Sequence, residues 1–244
     1  MLDISVVSPL WLINQDCLDL TKEAVASVGD VPLILVDNAS PLGGGYLRSI
    51  ADTYIRNKEN LGFAKAVNQG IKLAQTRYVA ILSNDVRVSP NWREVADQAF
   101  SANTDAFSVH FRMTDYDVPF AYGDQIVPTG KERWCTAAFF ILDTENVMCD
   151  ELNPDGLYFD ETFFNSYEDW DLFMRARELG YQTVYTDKAC YQHMHSFTQK
   201  LVGFPKTEKN KEYFIKKHGE DPDVKFARLY PEQVAQDYME GWKI

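Results

Sequence analysis

Short apolar runs alternate with amphipathic runs along the first part of the chain, and this alternation predicts an α/β fold. Ile4–Ser8, Val31–Val36 and Tyr78–Leu82 are short and apolar, as buried strands are. Pro9 follows the first run and is expected to end that strand. Asn14–Val28 has the apolar spacing of a helix and lies between the first two strands. Strands that alternate with helices in this way are typical of a doubly wound, mainly parallel sheet.

The same pattern continues less regularly in the rest of the chain. Further helices are predicted at Trp92–Phe100 and Ser166–Leu179, and further strands at Thr53–Arg56, Ala106–Phe111, Ala137–Leu142 and Gln182–Tyr185. Residues 114–131 have no period and are rich in Asp, Tyr, Pro and Gly, which predicts a loop or short hairpin over a binding face. The charged tail from residue 206 has helical patches at Tyr213–Lys217 and Pro231–Tyr238.

The composition is that of a folded domain, and the charge argues against one class of partner. The chain has 244 residues, of which 45% are hydrophobic and 14% aromatic, so it can bury a full core. A net charge of −12 argues against binding of duplex nucleic acid, which needs a clustered basic face. A phosphorylated small molecule stays compatible if a metal ion or a few local Lys and Arg residues meet it.

Cysteine usage and the absence of long apolar runs predict a cytoplasmic protein. The four cysteines (Cys17, Cys135, Cys149 and Cys190) form no Cys-x-x-Cys pair, so neither a zinc site nor a disulfide framework is indicated. The first residues lack the basic region of a signal peptide, and no apolar run approaches the roughly 20 residues that a membrane span needs. We therefore expect no membrane span.

Acidic residues follow two of the predicted strands directly. Asp37 comes after Val31–Val36, and Asp85 ends the Ser83-Asn84-Asp85 step after the next strong strand. Ligands bind outside the carboxyl ends of such strands, and carboxylate oxygens are the donors that Mg²⁺ and Mn²⁺ prefer. Asp85 is therefore a candidate metal ligand, and Asp37 is a candidate contact for a base or ribose. Asp and Asn after a strand are also ordinary turn residues, and that alternative stays open.

A turn with Gly62 opens a helix rich in small residues, which is a possible phosphate site. The free backbone N–H groups at a helix start attract anions, and Lys65 adds a positive charge there. The turn is neither a Gly-x-Gly-x-x-Gly motif nor a Walker loop. The alternative is a plain helix start whose alanines pack tightly on the sheet.

The segment Tyr167–Asp171 places three carboxyl groups on one helical turn beside two aromatic rings. Repulsion between carboxylates in a cleft raises their pKa values, which suits a general base near neutral pH. The alternative is helix capping, because Ser166 and Asp169 have the spacing of a capping box. His193 and His195 form a His-x-His pair on an extended segment, which directs both rings to one face and suits metal binding.

The ordered set of these motifs resembles the family 2 glycosyltransferases of GT-A fold, especially the rhamnosyltransferase-like branch. The matching stretches are Val36–Ser40, Asn60–Gly70, Leu82–Asp85 and Glu168–Leu172, with Arg175 and Gly180–Tyr181 downstream. Their order and spacing agree from residue 4 to about residue 198. The resemblance implies a mixed, mainly parallel sheet flanked by helices, with a small helical C-terminal tail. It further implies a catalytic domain over residues 1–200, with a nucleotide half (1–112) and an acceptor half (113–200), and an extension over 201–244.

The resemblance also implies roles for individual residues. The donor-binding set would be Pro9, Trp11, Asp37, Asn38, Asn60, Gly62, Lys65, Asn84 and Asp85. The metal, Mn²⁺ or Mg²⁺, would be held by Asp85 with His193 or His195. Asp169 would be the general base, with Glu168 beside it, and Trp134, Trp170 and Asp171 would bind the acceptor. These residues would transfer a hexosyl group from a nucleoside-diphosphate-sugar with inversion.

One departure from the family pattern and two rival functions stay open. The first acidic position of the family's Asp-x-Asp element is Ser83 here, which weakens the predicted metal affinity. A nucleotidyltransferase would share the fold, but it would carry a Gly-rich basic loop after the first strand. A non-catalytic nucleotide-sugar or glycan-binding protein is the second rival. The acceptor (a glycan, protein side chain, lipid-linked sugar or modified nucleic acid) and the oligomeric state are not predicted.

Overall fold

Strands and helices alternate in the structure, which is a computed structural model describing residues 2–129, 138–147, 156–194, 197–203 and 207–231. The strands are β1 (Ile4–Leu10), β2 (Leu33–Asp37), β3 (Thr53–Arg56), β4 (Tyr78–Leu82), β5 (Val86–Val88), β6 (Ala106–Asp115), β7 (Ile126–Thr129), β8 (Phe139–Asp143) and β9 (Gln182–His193). The helices are α1 (Gln15–Val28), α2 (Gly44–Ile50), α3 (Phe63–Ile71), α4 (Trp92–Ala102), α5 (Thr144–Val147), α6 (Glu168–Glu178), α7 (Phe197–Val202), α8 (Thr207–His218) and α9 (Pro222–Leu229).

The order of the strands places β1 and β4 side by side within one mixed sheet. That order is β3-β2-β1-β4-β8-β6-β9-β5, and β7 pairs with β9. Strands β1 to β4 pair in parallel, whereas β8 runs antiparallel to both β4 and β6. The carboxyl ends of β1 and β4 therefore meet at one edge, where ligands bind in this architecture. The predicted fold class, a mixed α/β sheet with flanking helices, is confirmed.

Neighbouring residues of the central strands pack against helices on opposite faces of the sheet. Val6 belongs to a cluster with residues of α1, α2 and α4, whereas Val7 belongs to a second cluster with residues of α3 and α6. Gly70 lets α3 approach β1 closely, because a Cβ atom at that position would lie 2.3 Å from Cγ1 of Val7. A third cluster joins α6 to the C-terminal helices through Phe163, Met174, Phe214, Phe226 and Tyr230.

The prediction that Pro9 ends the first strand is wrong. Strand β1 continues to Leu10, and Pro9 pairs in register with Val36 of β2. The pairing between β1 and β4 ends at Val7, so Pro9 lies beyond the point where its missing N–H would be needed on that side. A proline is therefore compatible with this end of a central strand.

Two strands and part of a third were not predicted from the hydrophobic pattern of the sequence. β5 is only three residues long, and β7 lies within the segment predicted as a loop or short hairpin. The pattern predicts β9 only as far as Tyr185, but the strand runs to His193. Polar residues at 186–188 interrupt the apolar pattern where the pairing with β6 shifts its register.

The helical patch predicted at Tyr213–Lys217 lies within α8. Of the patch predicted at Pro231–Tyr238, residues 232–238 lie outside the described part of the chain. Within the described part of the chain, no helix is long and apolar enough to cross a membrane. The domain divisions at residues 112 and 200 stay predictions.

Candidate functional site

A cleft of about 540 Å³ opens where the carboxyl ends of β1 and β4 meet the start of α6. The strand ends and the loops that follow them contribute Pro9, Leu10, Trp11, Asn38, Ser83, Asn84, Asp85, Met113, Ala138 and His193. The loop before α3 contributes Asn60, Gly62 and Phe63, and the segment that leads into α6 contributes residues 164–170. Thr198 and Val202 of α7 complete the lining.

The cleft brings together most of the predicted site residues. Those that line it are Pro9, Trp11, Asn38, Asn60, Gly62, Asn84, Asp85, Glu168, Asp169, Trp170 and His193. Three predicted residues are placed elsewhere: Asp37, Lys65 and Asp171 do not line the cleft. Trp134 and His195 lie outside the described residues, so their predicted roles stay predictions.

Asp37 is fully buried behind the cleft, with both carboxylate oxygens engaged. Its Oδ1 accepts the backbone N–H of Ser40 at 2.7 Å, and its Oδ2 accepts the hydroxyl of Tyr54 at 2.6 Å. The guanidinium of Arg56 also pairs with Oδ2. The structure therefore gives Asp37 a local role in holding the loop after β2, and its predicted contact with a base stays a prediction. The alternation of Tyr54 and Arg56 on one face of β3 was the available signal.

Asn38 lines the cleft and also holds the loop before α3. Its side-chain carbonyl accepts from Nδ2 of Asn57 at 2.9 Å and from the N–H of Leu61 at 3.2 Å. Its amide donates to the carbonyl of Gly62 at 3.0 Å. Asn38 thus fixes the position of the glycine turn through buried hydrogen bonds.

The start of α3 contacts the protein itself, at the segment that precedes α6. Gly62 has a φ of 89°, and a Cβ atom there would lie 2.2 Å from the carbonyl oxygen of Phe164. The N–H of Phe63 donates to that same carbonyl at 2.7 Å. The ammonium of Lys65 lies 3.9 Å from Glu161. Gly62 is therefore required for close packing, and one of the helix-start N–H groups predicted for phosphate already has a partner.

Asp85 and His193 form the polar pair at the sheet end of the cleft. Oδ1 of Asp85 lies 3.4 Å from Nε2 of His193, and Oδ2 accepts the N–H of Phe197 at 3.0 Å. Burial opposes ionisation, but the hydrogen bond and charge of His193 and the N–H of Phe197 outweigh it, so the pKa of Asp85 lies below its ordinary value. Asp85 is therefore an ionised carboxylate at neutral pH.

The Asp85–His193 pair fits a divalent cation that also binds substrate. Within the described ranges, no group of three or more His, Cys, Asp or Glu residues is arranged to hold a metal ion. Mg²⁺ and similar ions commonly use one or two protein ligands and complete their shell with water and substrate phosphates. One carboxylate and one imidazole in the wall of the cleft match that pattern.

The first turn of α6 brings two adjacent carboxyl groups to the cleft. The helix follows Ser166 and Tyr167, which both have left-handed φ angles of 73° and 70°. No side chain caps this helix start, so the capping-box alternative is not formed. Asp169 accepts the N–H of Trp170 at 2.9 Å.

Burial of Glu168 disfavours the charged form of its carboxyl group. Its side chain is only 5% exposed, and its Oε2 has no hydrogen-bond partner among the described residues. Burial raises the pKa of Glu168 well above its ordinary value, and the negative charges of Asp169 and Asp171 raise it further. The raised pKa favours the protonated form of Glu168 more than in an exposed glutamate.

Asp171 points away from the cleft and is surrounded by cationic groups. It is fully buried, and it pairs with Arg175 at 2.9 Å, Lys217 at 2.7 Å and His218 at 2.9 Å. Burial would raise its pKa, but the hydrogen bond from His218 and the charges of Arg175 and Lys217 lower the pKa to about 2. The structure therefore assigns Asp171 to the contact with α8, whereas the sequence predicted an acceptor contact.

Some residues of the lining were not predicted from the sequence. They are Ser83, Phe164, Asn165, Thr198 and Val202, together with Leu10, Phe63, Met113, Ala138, Ser166 and Tyr167, of which several had been noted only as parts of motifs. Phe164 and Asn165 directly precede the acidic segment, and Thr198 follows the His-x-His pair. Closeness in sequence to a predicted residue was the available signal for Phe164, Asn165 and Thr198.

Comparison with protein families agrees with this geometry. A family model described as Glycosyl transferase family 2 matches residues 15–152, which is more than half of the chain. The chain belongs to glycosyl transferase family 2. No curated protein matches this family 2 chain by sequence.

Among solved structures, this family 2 chain is similar to S. aureus TarS. The crystal structure of TarS 1–349 is 14% identical with a TM-score of 0.56, covering 78% of this chain and 59% of that chain. Its complex with UDP is 15% identical with a TM-score of 0.58 and the same coverage. Its complex with UDP-GlcNAc is 13% identical with a TM-score of 0.57, covering 80% of this chain and 61% of that chain. The chain spans about three-fifths of these TarS structures, and the likeness confirms the GT-A type of fold.

Proposed function

We propose that this protein is an inverting glycosyltransferase that moves a sugar from a nucleoside-diphosphate-sugar to an acceptor hydroxyl. One observation carries the proposal: in a family 2 chain, a single cleft is lined both by the Asp85–His193 pair and by the carboxyl groups of Glu168 and Asp169. The first pair suits a diphosphate with its cation, and the second suits deprotonation of a hydroxyl. Within the family we propose the rhamnosyltransferase-like branch, on the motif set alone.

The donor would bind along the strand ends. Trp11 and Pro9 offer apolar surface for the base, and Asn60 and Asn84 offer amide groups for hydrogen bonds. The likeness to TarS structures in complex with UDP and UDP-GlcNAc supports a nucleotide-sugar donor, while the base and the sugar are left to experiment.

Asp85 and His193 would hold a divalent cation, Mn²⁺ or Mg²⁺. The cation, when bound, stabilises negative charge on the diphosphate as a Lewis acid. The low pKa of Asp85 keeps its carboxylate available for this role at neutral pH. A backbone hydrogen bond joins the loop after β4 to the end of β9, where the N–H of Met194 donates to the carbonyl of Asp85 at 3.1 Å.

Asp169 would act as the general base in a single displacement. It takes the proton of the acceptor hydroxyl while the hydroxyl oxygen bonds to the anomeric carbon. The bond from that carbon to the diphosphate oxygen breaks, and its electron pair leaves with the diphosphate. Glu168, whose raised pKa favours its protonated form, would donate a hydrogen bond to a ligand oxygen.

The test measures nucleoside diphosphate release from a panel of UDP-, GDP-, dTDP-, CDP- and ADP-sugars, including a rhamnosyl donor, with and without Mn²⁺. We expect one base to be preferred, and the matching diphosphate to raise the melting temperature as a native-state ligand does. Asp85→Asn should remove the metal-dependent part of that shift. The matched control is Asp19→Asn, an exposed carboxylate of α1. A folded protein that releases no diphosphate and shows no shift with any nucleotide would refute the proposal.

A further inference from the structure

The segment that leads into α6 has an unusual backbone. Ser166 and Tyr167 are consecutive non-glycine residues with left-handed φ angles of 73° and 70°. This conformation is unfavourable for both residues, because the Cβ atom crowds the backbone. Such a turn persists only where surrounding groups hold it. Glu168 and Asp169 follow the turn directly, so its shape decides where their carboxyl groups lie.

One side chain of the C-terminal tail holds this turn. Asn210 of α8 is only 4% exposed, and its Nδ2 donates to the carbonyl of Ser166 at 3.1 Å. The same Nδ2 also donates to the carbonyl of Asn165. A single buried amide therefore satisfies two successive carbonyl groups of the turn.

Helix α8 is itself fixed to the elements around the cleft. Lys217 and His218 pair with Asp171 of α6, and Lys217 also contacts Asp160 at 2.8 Å. The hydroxyl of Tyr213 donates to Asp160 at 2.9 Å. These contacts lie two to three helical turns from the start of α8 and keep the helix, with Asn210 near its start, against the turn.

We propose that Asn210 is a positioning residue for the reaction, which holds the left-handed turn so that Glu168 and Asp169 reach the cleft. The C-terminal helices thereby complete the active site, although Asn210 does not line the cleft. The expected effect on kcat rests on the proposed function. The claim that Asn210 holds the turn rests on the backbone geometry and the hydrogen bonds alone. The tail, which the sequence left without a role, then has one.

The first test is Asn210→Ala, assayed with the best donor of the panel. We expect kcat to fall at least tenfold while the KM for the donor and the melting shift with the nucleoside diphosphate stay within twofold of wild type. Asn210→Leu fills the same space without a donor group and serves if the alanine variant folds poorly. The matched control is Leu47→Ala, a buried residue of α2 that does not line the cleft, which should lower the melting temperature and leave kcat within twofold.

The second test is rescue by glycine. Ser166→Gly added to Asn210→Ala should raise kcat at least threefold above that of Asn210→Ala alone. Glycine adopts left-handed angles without the steric cost of a Cβ atom. If Asn210 only stabilised the fold, Ser166→Gly would raise the melting temperature of the Asn210→Ala variant without raising its kcat. The proposal is overturned if Asn210→Ala keeps kcat within twofold, or if glycine restores none of the loss.

A third readout needs no activity. The N–H of Asp171 donates to the carbonyl of Tyr167 at 2.9 Å, so hydrogen exchange at this amide reports the turn. Asn210→Ala should speed its exchange at least tenfold, with little change in the amides of β1. Unchanged exchange would overturn the proposal even in a protein with no transferase activity. Faster exchange in a protein without turnover would uphold the turn contact and refute the proposed function alone.

Discussion

Helix α6 presents two buried carboxyl groups to regions of opposite character. Glu168 lines the cleft under the negative charges of Asp169 and Asp171, and its Oε2 has no partner among the described residues. On the side of α8, Asp171 meets Arg175, Lys217 and His218. The pKa of Glu168 is raised, and that of Asp171 is lowered to about 2. Burial alone therefore does not decide the charge of a carboxyl group, because the neighbours supply the sign.

Glu168 belongs to the lining of the cleft, whereas Asp171 holds two helices together. Asp171 joins α6 to α8 of the C-terminal tail through ion pairs with Lys217 and His218. Glu168 lines the cleft, and its buried Oε2 has no hydrogen-bond partner among the described residues. The predictions below test this contrast by removing each group in turn.

The largest expected effect is on stability, from Asp171→Ala. Removal of this carboxylate leaves Arg175, Lys217 and His218 without their common partner, and breaking a buried ion pair costs about 3 to 5 kcal/mol. Urea denaturation followed by circular dichroism measures the free energy of unfolding. A loss below about 1 kcal/mol would contradict the assignment of Asp171 as the anchor of α8.

The pH dependence of stability should have opposite signs for the two groups. Asp171 has a lowered pKa, so its contribution is present above pH 3.8 and is lost as the pH falls toward 2, by about 2 kcal/mol. Glu168 has a raised pKa, so its contribution is present below pH 4.5 and is lost as the pH rises through the folded-state value.

The pH dependence of the Glu168 contribution is checked by the free energies of unfolding of wild type and Glu168→Gln, measured from pH 3 to pH 9. The variant has no charge to bury, so its advantage over wild type should grow with pH above 4.5. An advantage that instead grows on acidification would contradict a raised pKa for Glu168.

The smallest expected effect is that of Glu168→Gln on stability at pH 5. The amide has nearly the shape of the protonated acid, so we expect a change of less than about 1 kcal/mol. The same urea titration measures it beside Asp171→Asn, which also exchanges a carboxyl group for an amide on α6. If the glutamine variant were the less stable of the two, the two groups would not differ as described.

The sequence predicted the fold well because hydrophobic periodicity depends on neighbouring residues. Asp85 and Glu168 are among the predicted residues that line the cleft, since strand ends and helix starts can be located from local pattern. The protein partners of Asp37 and Asp171 were not predicted, because those partners are distant in sequence. Arg56 lies 19 residues from Asp37, and His218 lies 47 residues from Asp171.

The sequence predicted raised pKa values for the carboxyl groups of Tyr167–Asp171, but it did not distinguish Glu168 from Asp171, because the cationic partners that lower the pKa of Asp171 include residues distant in sequence. The role proposed for Asn210 escaped the sequence, because it depends on a left-handed turn at Ser166 and Tyr167, which are not residue types that signal such angles. The Asp-rich motif marks the site, but only packing distinguishes its members.

The central claim, that Asp169 deprotonates an acceptor in a nucleotide-sugar transferase, is tested most directly by sugar transfer with Asp169→Asn. We expect kcat to fall by about 10² to 10⁴, the usual contribution of a general base, with the diphosphate melting shift unchanged. Glu168→Gln, measured beside it, should keep more activity because the amide supplies the hydrogen-bond donor that a protonated Glu168 would supply. Wild-type turnover in Asp169→Asn would contradict the account.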